Sequence, residues 1–417
     1  MKTDIHAEII IIGAGPAGLF CAAKAGAGGK KVFVIEKNPV PGRKLLLAGS
    51  GQCNITHEGP VRDFLTHYGD HGSFLKPALM NFPNTALISF FQERGLEMVT
   101  TKSGKIFPAT LKSTDVLHIL ENECATNGVT MQYNEPVREV SHKDNLFFVV
   151  TPNTTYYGKS LVIATGGASY PGTGSIGDGY RFASSLGHTI AETAPALAPV
   201  IVNGYPFGDL AGVSFDSLYY SLWRDGKKIG SHRGDLLFTH HGLSGPGILD
   251  YSRFIHPGDS IRLSFIDPGS REQFVKEFTG NLVRHPVSHV KTIVLQYKVP
   301  ERLVKILLEL SGIPENLTCA HLTKLQRNTL VTNLLEFPVQ VGNLGGFPEA
   351  MVTRGGVSLQ EIDPKTMESR LVPGLFFTGE IIDIDGDTGG YNLQAAFSTG
   401  YLAAEAMLLK QTNPTNE

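Results

Sequence analysis

The chain has 417 residues, 41% apolar and 18% charged, with a formal net charge of -3. That length exceeds one ordinary core and leads us to expect two or three domains. The charge balance excludes a general electrostatic pull toward nucleic acid or anionic lipid and no Lys/Arg-rich run appears, so no nucleic-acid or membrane partner is expected. Its 47 glycines exceed the usual ~7% share and cluster in a few loops, where a backbone must approach a ligand or take positive φ.

Near the start of the chain, residues 8–28 read "EIIIIGAGPAGLFCAAKAGAG". Its glycines, proline and acidic lead-in fit neither a signal peptide nor a membrane-crossing helix of ~20 apolar residues. Residues 7–12 form a continuous apolar run, as in a parallel strand covered on both faces. "GAGPAG" (13–18) then turns the chain into a small-residue helix, and "KVFVIEK" (31–37) is the second strand of a βαβ unit. Gly13, Gly15 and Gly18, with Ala14, Pro16 and Ala17 between them, make G-x-G-x-x-G. Glu36 ends the second strand 18 residues after Gly18. The glycines let the backbone reach a pyrophosphate, the helix N-terminus stabilises its charge, and the carboxylate takes ribose hydroxyls. An acid there disfavours a 2′-phosphate; NAD and FAD both fit so far.

A second glycine-rich loop, "GRKLLLAGSGQCNITH" (42–57), follows almost at once. Helical stretches are expected near 75–95 and 113–127. Strand segments follow and return the chain to the sheet at 161–164. "GTGSIG" (172–177) repeats the G-x-G-x-x-G spacing, but its first glycine comes eight residues after Ala164, the last apolar residue of the strand, and no acid-ended strand follows. It reads as a substrate-side turn rather than a second dinucleotide site.

Composition changes near Pro195. Short β-rich runs reach about residue 267 and helical patterns fill about 270–335. After that "GLFFTGEIIDIDGDTGGYNLQAAF" restores the style of the beginning: an apolar strand, an acidic glycine-rich loop and a helix starting near Asn392. A flavin needs such a second contact region, since a helix N-terminus can face the pyrimidine edge of its ring. The expected fold is α/β, with a Rossmann-like FAD-binding domain (1–194 and 351–417). Into it are inserted a β-rich, barrel-like domain (195–269 and 336–350) and a small helical domain (270–335). The tail after Lys410 is expected to be disordered.

"GRKLLLAGSGQCNITH", "VIATGGASYPGTGSIGDGY", "FTHHGLSGP", "TRGGV" and "GEIIDIDGDTGGYNLQAAFSTG" occur in this order over nearly the whole chain. Together they resemble the bacterial flavoprotein family that includes aminoacetone oxidase and a dehydro-bile-acid reductase, whose FAD domain is similar to that of glutathione reductase. Members commonly have "SGGGRCN" where this chain has "AGSGQCN", so Gln52 removes one positive charge. The resemblance implies that the second loop runs from the phosphates toward the flavin ring, with Arg43 or Lys44 meeting phosphate charge and Gly51, Cys53 and Asn54 lining the path. It further implies FAD contacts at Lys37, Val137, Ala164, Thr165, Gly166, Gly167, Gly379, Glu380, Asp385, Gly390, Asn392, Leu393 and Gln394.

For proton transfer the candidates are Tyr170, His240, His241 and Tyr391; a structural role is the alternative for each. Cys53 reads as a small buried filler, because no resolving cysteine is visible. The four cysteines are scattered without C-x-x-C spacing, so no metal site is expected, and with no leader the chain is expected in the cytoplasm. The reading is an FAD-dependent oxidoreductase passing hydride through flavin N5 between a small organic substrate and NAD(P)H or oxygen, with NAD(P)H as a transient donor. A flavin-dependent tRNA-modifying enzyme and a non-catalytic flavin redox sensor are the alternatives.

Overall fold

The computed structural model describes residues 3–267 and 269–412, the last two by backbone alone. Two compact units result: residues up to Ala196 together with those from Phe347 onward, and Leu197–Gly346.

The first unit is built on a seven-stranded sheet among the described residues. Thr3–Ile12 lies between Val32–Ile35 and Thr154–Ile163, parallel to both. Ile9, Ile10, Ile11 and Ile12 are all buried, since helices cover both faces of a parallel sheet. The strand Thr154–Ile163 is long enough to serve two neighbours on its other side. Its first half pairs antiparallel with Leu146–Val150, and its last residues pair parallel with Leu375–Phe377. Ile12, Ile35, Ile163 and Phe377 therefore end in register at one edge of the sheet. The loops that leave that edge are the glycine-rich ones. In open α/β sheets this carboxyl edge is where ligands bind.

The two ends of the chain are fastened through small residues. The helix Pro16–Ala27 starts with proline, whose fixed φ suits a first turn. It packs against the C-terminal helix Tyr391–Thr412. A side chain at Gly400 would collide with the Ala17 carbonyl, so the helices approach closely, and Lys24 pairs with Glu405 at 2.9 Å. The C-terminal helix carries on through residues 411 and 412, so the first part of the tail expected to be disordered is helical; the rest of that tail lies outside the described residues. The helical stretch near 75–95 is two helices, Gly72–Asn81 and Asn84–Gln92, because Pro83 interrupts the run and serves as the N-cap of the second.

In the second unit six antiparallel strands close a barrel, running Val200–Asn203, Gly242–Ser244, Lys227–Phe238, Ser214–Arg224, Ser260–Ser264 and Phe337–Leu344 around the ring. Alternate residues point inward; Leu218, Tyr220 and Leu222 are buried. The helices Arg271–Arg284, Val290–Leu295, Glu301–Leu310 and Lys324–Leu335 pack on this barrel. The sequence suggested separate β-rich and helical domains. In the structure Phe274, Phe278, Leu303, Leu307 and Leu334 share one hydrophobic core with the barrel residues Phe238, Leu263 and Val339, so barrel and helices form a single unit.

Candidate functional site

The three glycines of the first turn do different work. Gly13 has φ +105°, and a Cβ there would press on the Ala164 carbonyl. A Cβ on Gly18 would run into the Gly13 carbonyl oxygen. Gly15 is the opposite case: its Cβ would meet nothing within 4 Å. Two glycines thus permit close packing of strand, turn and helix, and the middle one leaves open space where a pyrophosphate could approach the helix N-terminus.

Glu36 is 8% exposed and braces this turn. Its Oε2 accepts from the Ala14 amide at 2.9 Å, while Oε1 accepts from the Asn38 amide at 2.9 Å and from Asn38 Nδ2 at 2.7 Å. A carboxylate offers about four lone-pair sites, so with three engaged about one remains for a ribose hydroxyl. Lys37 is committed to Asp178 at 2.5 Å, and Val137 lies half-buried against the same core.

The second loop is tied directly to the first, because the Gly42 amide donates to the Ala14 carbonyl at 2.9 Å. The two basic residues then diverge. Lys44 pairs with Glu380 at 2.6 Å, whereas Arg43 donates to Asn38 Oδ1 at 2.9 Å and lines a cleft of about 520 Å³ with Val40, Leu46, Leu47, Tyr170 and Thr173. Gly49, Gly51 and Cys53 all take positive φ. Cys53 is fully buried, and burial pushes its thiol up to about 12, which makes it a protonated filler rather than a nucleophile. Gln52, where the family pattern has arginine, is exposed.

The third loop begins at Ala164, whose amide donates to the Ile12 carbonyl. Thr165 and Gly166 (φ +72°) carry it to Gly167, where a side chain would strike Thr353. Thr353 is the residue that sequence reasoning missed. Its buried Oγ1 accepts from the amides of Ala168 at 2.8 Å and Ser169 at 3.1 Å, and its own amide donates to Glu380 at 2.9 Å. The "TRGGV" motif therefore orients the third loop and Glu380 together; the only sequence sign was its glycine pair. "GTGSIG" forms a turn into the helix Asp178–Ser185, and the Thr173 carbonyl accepts from Asn38.

At the C-terminal return, a Cβ on Gly379 would press on Ala17. Gly390 has φ +99°, and its Cβ would lie 2.6 Å from the Thr56 backbone. The helix begins at Tyr391, and Asn392 braces the preceding turn: its Oδ1 accepts from the Gly386 amide and its Nδ2 donates to the Gly386 carbonyl, both at 2.8 Å. Asp385 is buried and Leu393 half-buried. The Gln394 side chain is spent on Thr56, Phe82 and Ser398, and its amide donates to the Gly390 carbonyl at 3.0 Å, so Gln394 braces the helix start.

Tyr391 sits in a stack, its ring 4.0 Å from that of His67 and 5.3 Å from that of His57, with His67 Nδ1 3.0 Å from Asp387. Tyr170 adopts φ +53°, and burial raises its phenol above the ordinary value. Both tyrosines belong to the first unit. His240 and His241 are exposed in a turn of the barrel unit.

FAD fits this donor set. Besides the space at Gly15 and the open site on Glu36, the buried Asn54 Oδ1 and Thr378 Oγ1 have no partner within the protein among the described residues. Both lie on loops that converge on the carboxyl edge, where a bound cofactor would satisfy them.

Strand order, glycine turn and strand-end acid define a dinucleotide-binding Rossmann-type protein. The chain belongs to the family described as HI0933-like protein Rossmann domain, which matches residues 7–406. It is 33% identical to the ribosomal RNA dihydrouridine synthase of Escherichia coli K12, over 97% of this chain and 99% of that protein. It is 31% identical to the 3-dehydro-bile acid delta(4,6)-reductase of Clostridium scindens, over 96% of this chain and 98% of that protein. Among solved structures, an E. coli quinol fumarate reductase chain aligns with a TM-score of 0.54 at 16% identity, covering 100% of this chain and 72% of its own. A 3-ketosteroid-Δ4-(5α)-dehydrogenase from Rhodococcus jostii aligns with a TM-score of 0.50 at 15% identity, covering 98% of each chain. At that identity the two structures are evidence of shared fold.

Proposed function

We propose that this FAD-dependent oxidoreductase is a reductase that saturates a carbon–carbon double bond conjugated to a carbonyl. The observation that carries the reading is kinship above 30%, over nearly the whole of this chain and of each relative, with a dihydrouridine synthase and a bile acid reductase. Making dihydrouridine saturates the C5=C6 bond of uracil, which is conjugated to its C4 carbonyl. A 3-dehydro-bile acid Δ4,6-reductase acts on double bonds conjugated to a 3-carbonyl. The shared chemistry is hydride addition to the carbon β to a carbonyl and a proton to the α carbon. Bound FAD would supply the hydride from N5 after reduction by NAD(P)H. The chain's own residues hold the cofactor along Gly13–Gly18, Glu36 and the loops at 43–54, 164–167 and 379–394. Tyr170, half-buried on the wall of the cleft, is a candidate to hold a substrate carbonyl or deliver the proton.

Of the two substrate forms, a uracil within RNA is the better supported. Residues 270–335 hold nine Lys/Arg against five Asp/Glu, a net of +4 in a chain whose total is -3. The expectation of no nucleic-acid partner rested on total charge and the lack of a basic run, and neither criterion detects a basic segment with its charges spread out.

The test is anaerobic. Flavin in the purified protein is reduced with NADH or NADPH, then mixed with a small conjugated enone or with ribosomal RNA transcribed in vitro, and its absorbance is followed. Reoxidation with a two-hydrogen mass gain in either acceptor is expected. Flavin that is reduced by amines and reoxidised only by oxygen would replace this reading with an amine oxidase.

A further inference from the structure

Two stretches of the second unit, 278–300 and 316–335, contain no Asp or Glu, yet hold Arg284, Lys291, Lys298, Lys324 and Arg327 with His285, His289 and His321. They are far apart in sequence and adjacent in space. The Cys319 amide donates to the Ser288 carbonyl at 2.9 Å, the Ala320 amide to the Pro286 carbonyl at 3.0 Å, and the Val290 amide to the Leu317 carbonyl at 3.0 Å. This pairing joins the segment that follows the helix Arg271–Arg284 to the segment that precedes the helix Lys324–Leu335.

On the joined surface Arg284, His285, His289, His321 and Lys324 are exposed. Lys291 is neutralised by Glu301 at 2.8 Å and Glu315 at 2.9 Å, so it contributes little. Lys324 occupies the first turn of its helix, where the macrodipole disfavours a cation and no acid offsets it. An anion bound there would relieve that conflict. Val283, Val287 and Leu325 are neighbours in sequence of these residues, 73%, 86% and 77% exposed, and are available for apolar contact to sugar faces.

We propose that this face of the helical insert, where Arg284 and Lys324 stand exposed, docks the phosphate backbone of the RNA that carries the target uracil. The inference rests on the reductase reading above and adds to it the polymer that presents the substrate. Phosphate contacts of this kind position a nucleic acid without reading its sequence and make affinity fall with salt. A face split between two segments suits an RNA path better than a compact anion site, because its cations are spread along a surface.

The experiment compares the wild-type holoenzyme with Lys324→Glu and with Arg284→Glu/Lys324→Glu. Glutamate in the first turn of a helix is favourable, so Lys324→Glu keeps the fold even if the double variant does not. Each protein is tested for binding to unmodified ribosomal RNA transcribed in vitro at several salt concentrations, for dihydrouridine formation in it, and for turnover of a small conjugated enone. RNA affinity should fall about tenfold per lost contact, and the slope of log affinity against log salt should flatten by roughly 0.7 per phosphate. Enone turnover should be unchanged. Wild-type affinity and slope in both variants, with wild-type RNA still modified, would overturn the docking face and leave the reductase standing. Enone turnover by a wild type that neither binds nor modifies RNA would overturn the RNA substrate. Sedimentation of wild type but not the variants with phosphatidylglycerol vesicles, without RNA binding, would assign the face to a membrane and overturn the proposal.

Discussion

Replacing Glu36 with glutamine tests whether one carboxylate both braces the nucleotide turn and holds the cofactor. In the structure its two oxygens face three donors, the Ala14 amide on one side and the backbone and side-chain nitrogens of Asn38 on the other. A glutamine can present its carbonyl to only one side. With the carbonyl toward Asn38, the new amide group confronts the Ala14 N–H, and a buried donor loses its acceptor. That costs about 1–3 kcal/mol. At roughly 2–4 °C per kcal/mol for domains of 150–250 residues, and toward the lower figure for a larger unit, the apoprotein should melt about 2–8 °C lower.

The cofactor effect is separable from this loss. If the remaining lone pair of Glu36 accepts a ribose hydroxyl, glutamine weakens a charge-assisted bond worth about 1.5–3 kcal/mol, so FAD should bind roughly tenfold to hundredfold more weakly. At a fixed excess of FAD, the stabilisation on adding cofactor then shrinks by about 1.4–2.7 kcal/mol. Melting of apo and FAD-loaded protein, with an FAD titration by flavin fluorescence, reads both quantities. An unchanged apo melting temperature would refute the bracing geometry. A lower apo melting temperature with an unchanged FAD-induced shift would refute the ribose contact alone.

Further expectations follow from other buried groups. His188 is buried against Ser369 and its pKa is lowered by desolvation, so the fold holds it neutral. Its contribution to stability is complete above the unfolded value of 6.5 and is lost as pH falls from there toward the depressed folded pKa. Urea midpoints should drop between pH 7 and 5, and His188→Asn should flatten that slope. All four cysteines are buried with thiols pushed up by desolvation, so native protein at pH 8 should show no fast-reacting thiol toward a disulfide reagent; rapid labelling of one would contradict the packing. Gly390→Val places a Cβ against the Thr56 backbone at positive φ and should loosen FAD and lower its midpoint potential and sulfite affinity. A folded, FAD-loaded Gly390→Val protein with unchanged potential and sulfite affinity would remove this helix start from the control of the flavin.

What could be read from the sequence was whatever a short stretch decides locally. The run at residues 7–12, the three glycines and Glu36 specify strand, turn, helix and acid within 30 residues, because each choice depends on neighbours close in the chain. The broad apolar stripe of "ERLVKILLEL" likewise gives a helix burying Leu303, Val304, Leu307 and Leu308. Choices made by distant partners were not visible. Thr353 takes two amides from a loop nearly two hundred residues earlier, a partnership that no local pattern announces. Lys44 reads in sequence as a phosphate ligand, whereas in the structure it pairs with Glu380. Asn392 looked like a helix start and proved to brace the turn before it.

The same limit explains why a basic face escaped notice. Total charge averages over the chain, and a search for runs sees only consecutive residues. The helical insert evades both, because its cations are spaced several residues apart in two segments joined by backbone hydrogen bonds at Ser288 and Pro286. The +4 of residues 270–335 leaves a net of -7 for the rest of the chain. A polyanionic partner would thus be attracted to one segment and repelled elsewhere, and that asymmetry orients an encounter where uniform positive charge would only strengthen it. Low total charge is therefore no argument against an RNA substrate here. In the proposed reading it limits non-specific capture by the remaining surface and leaves positioning to the face formed by Arg284, His285, His321 and Lys324.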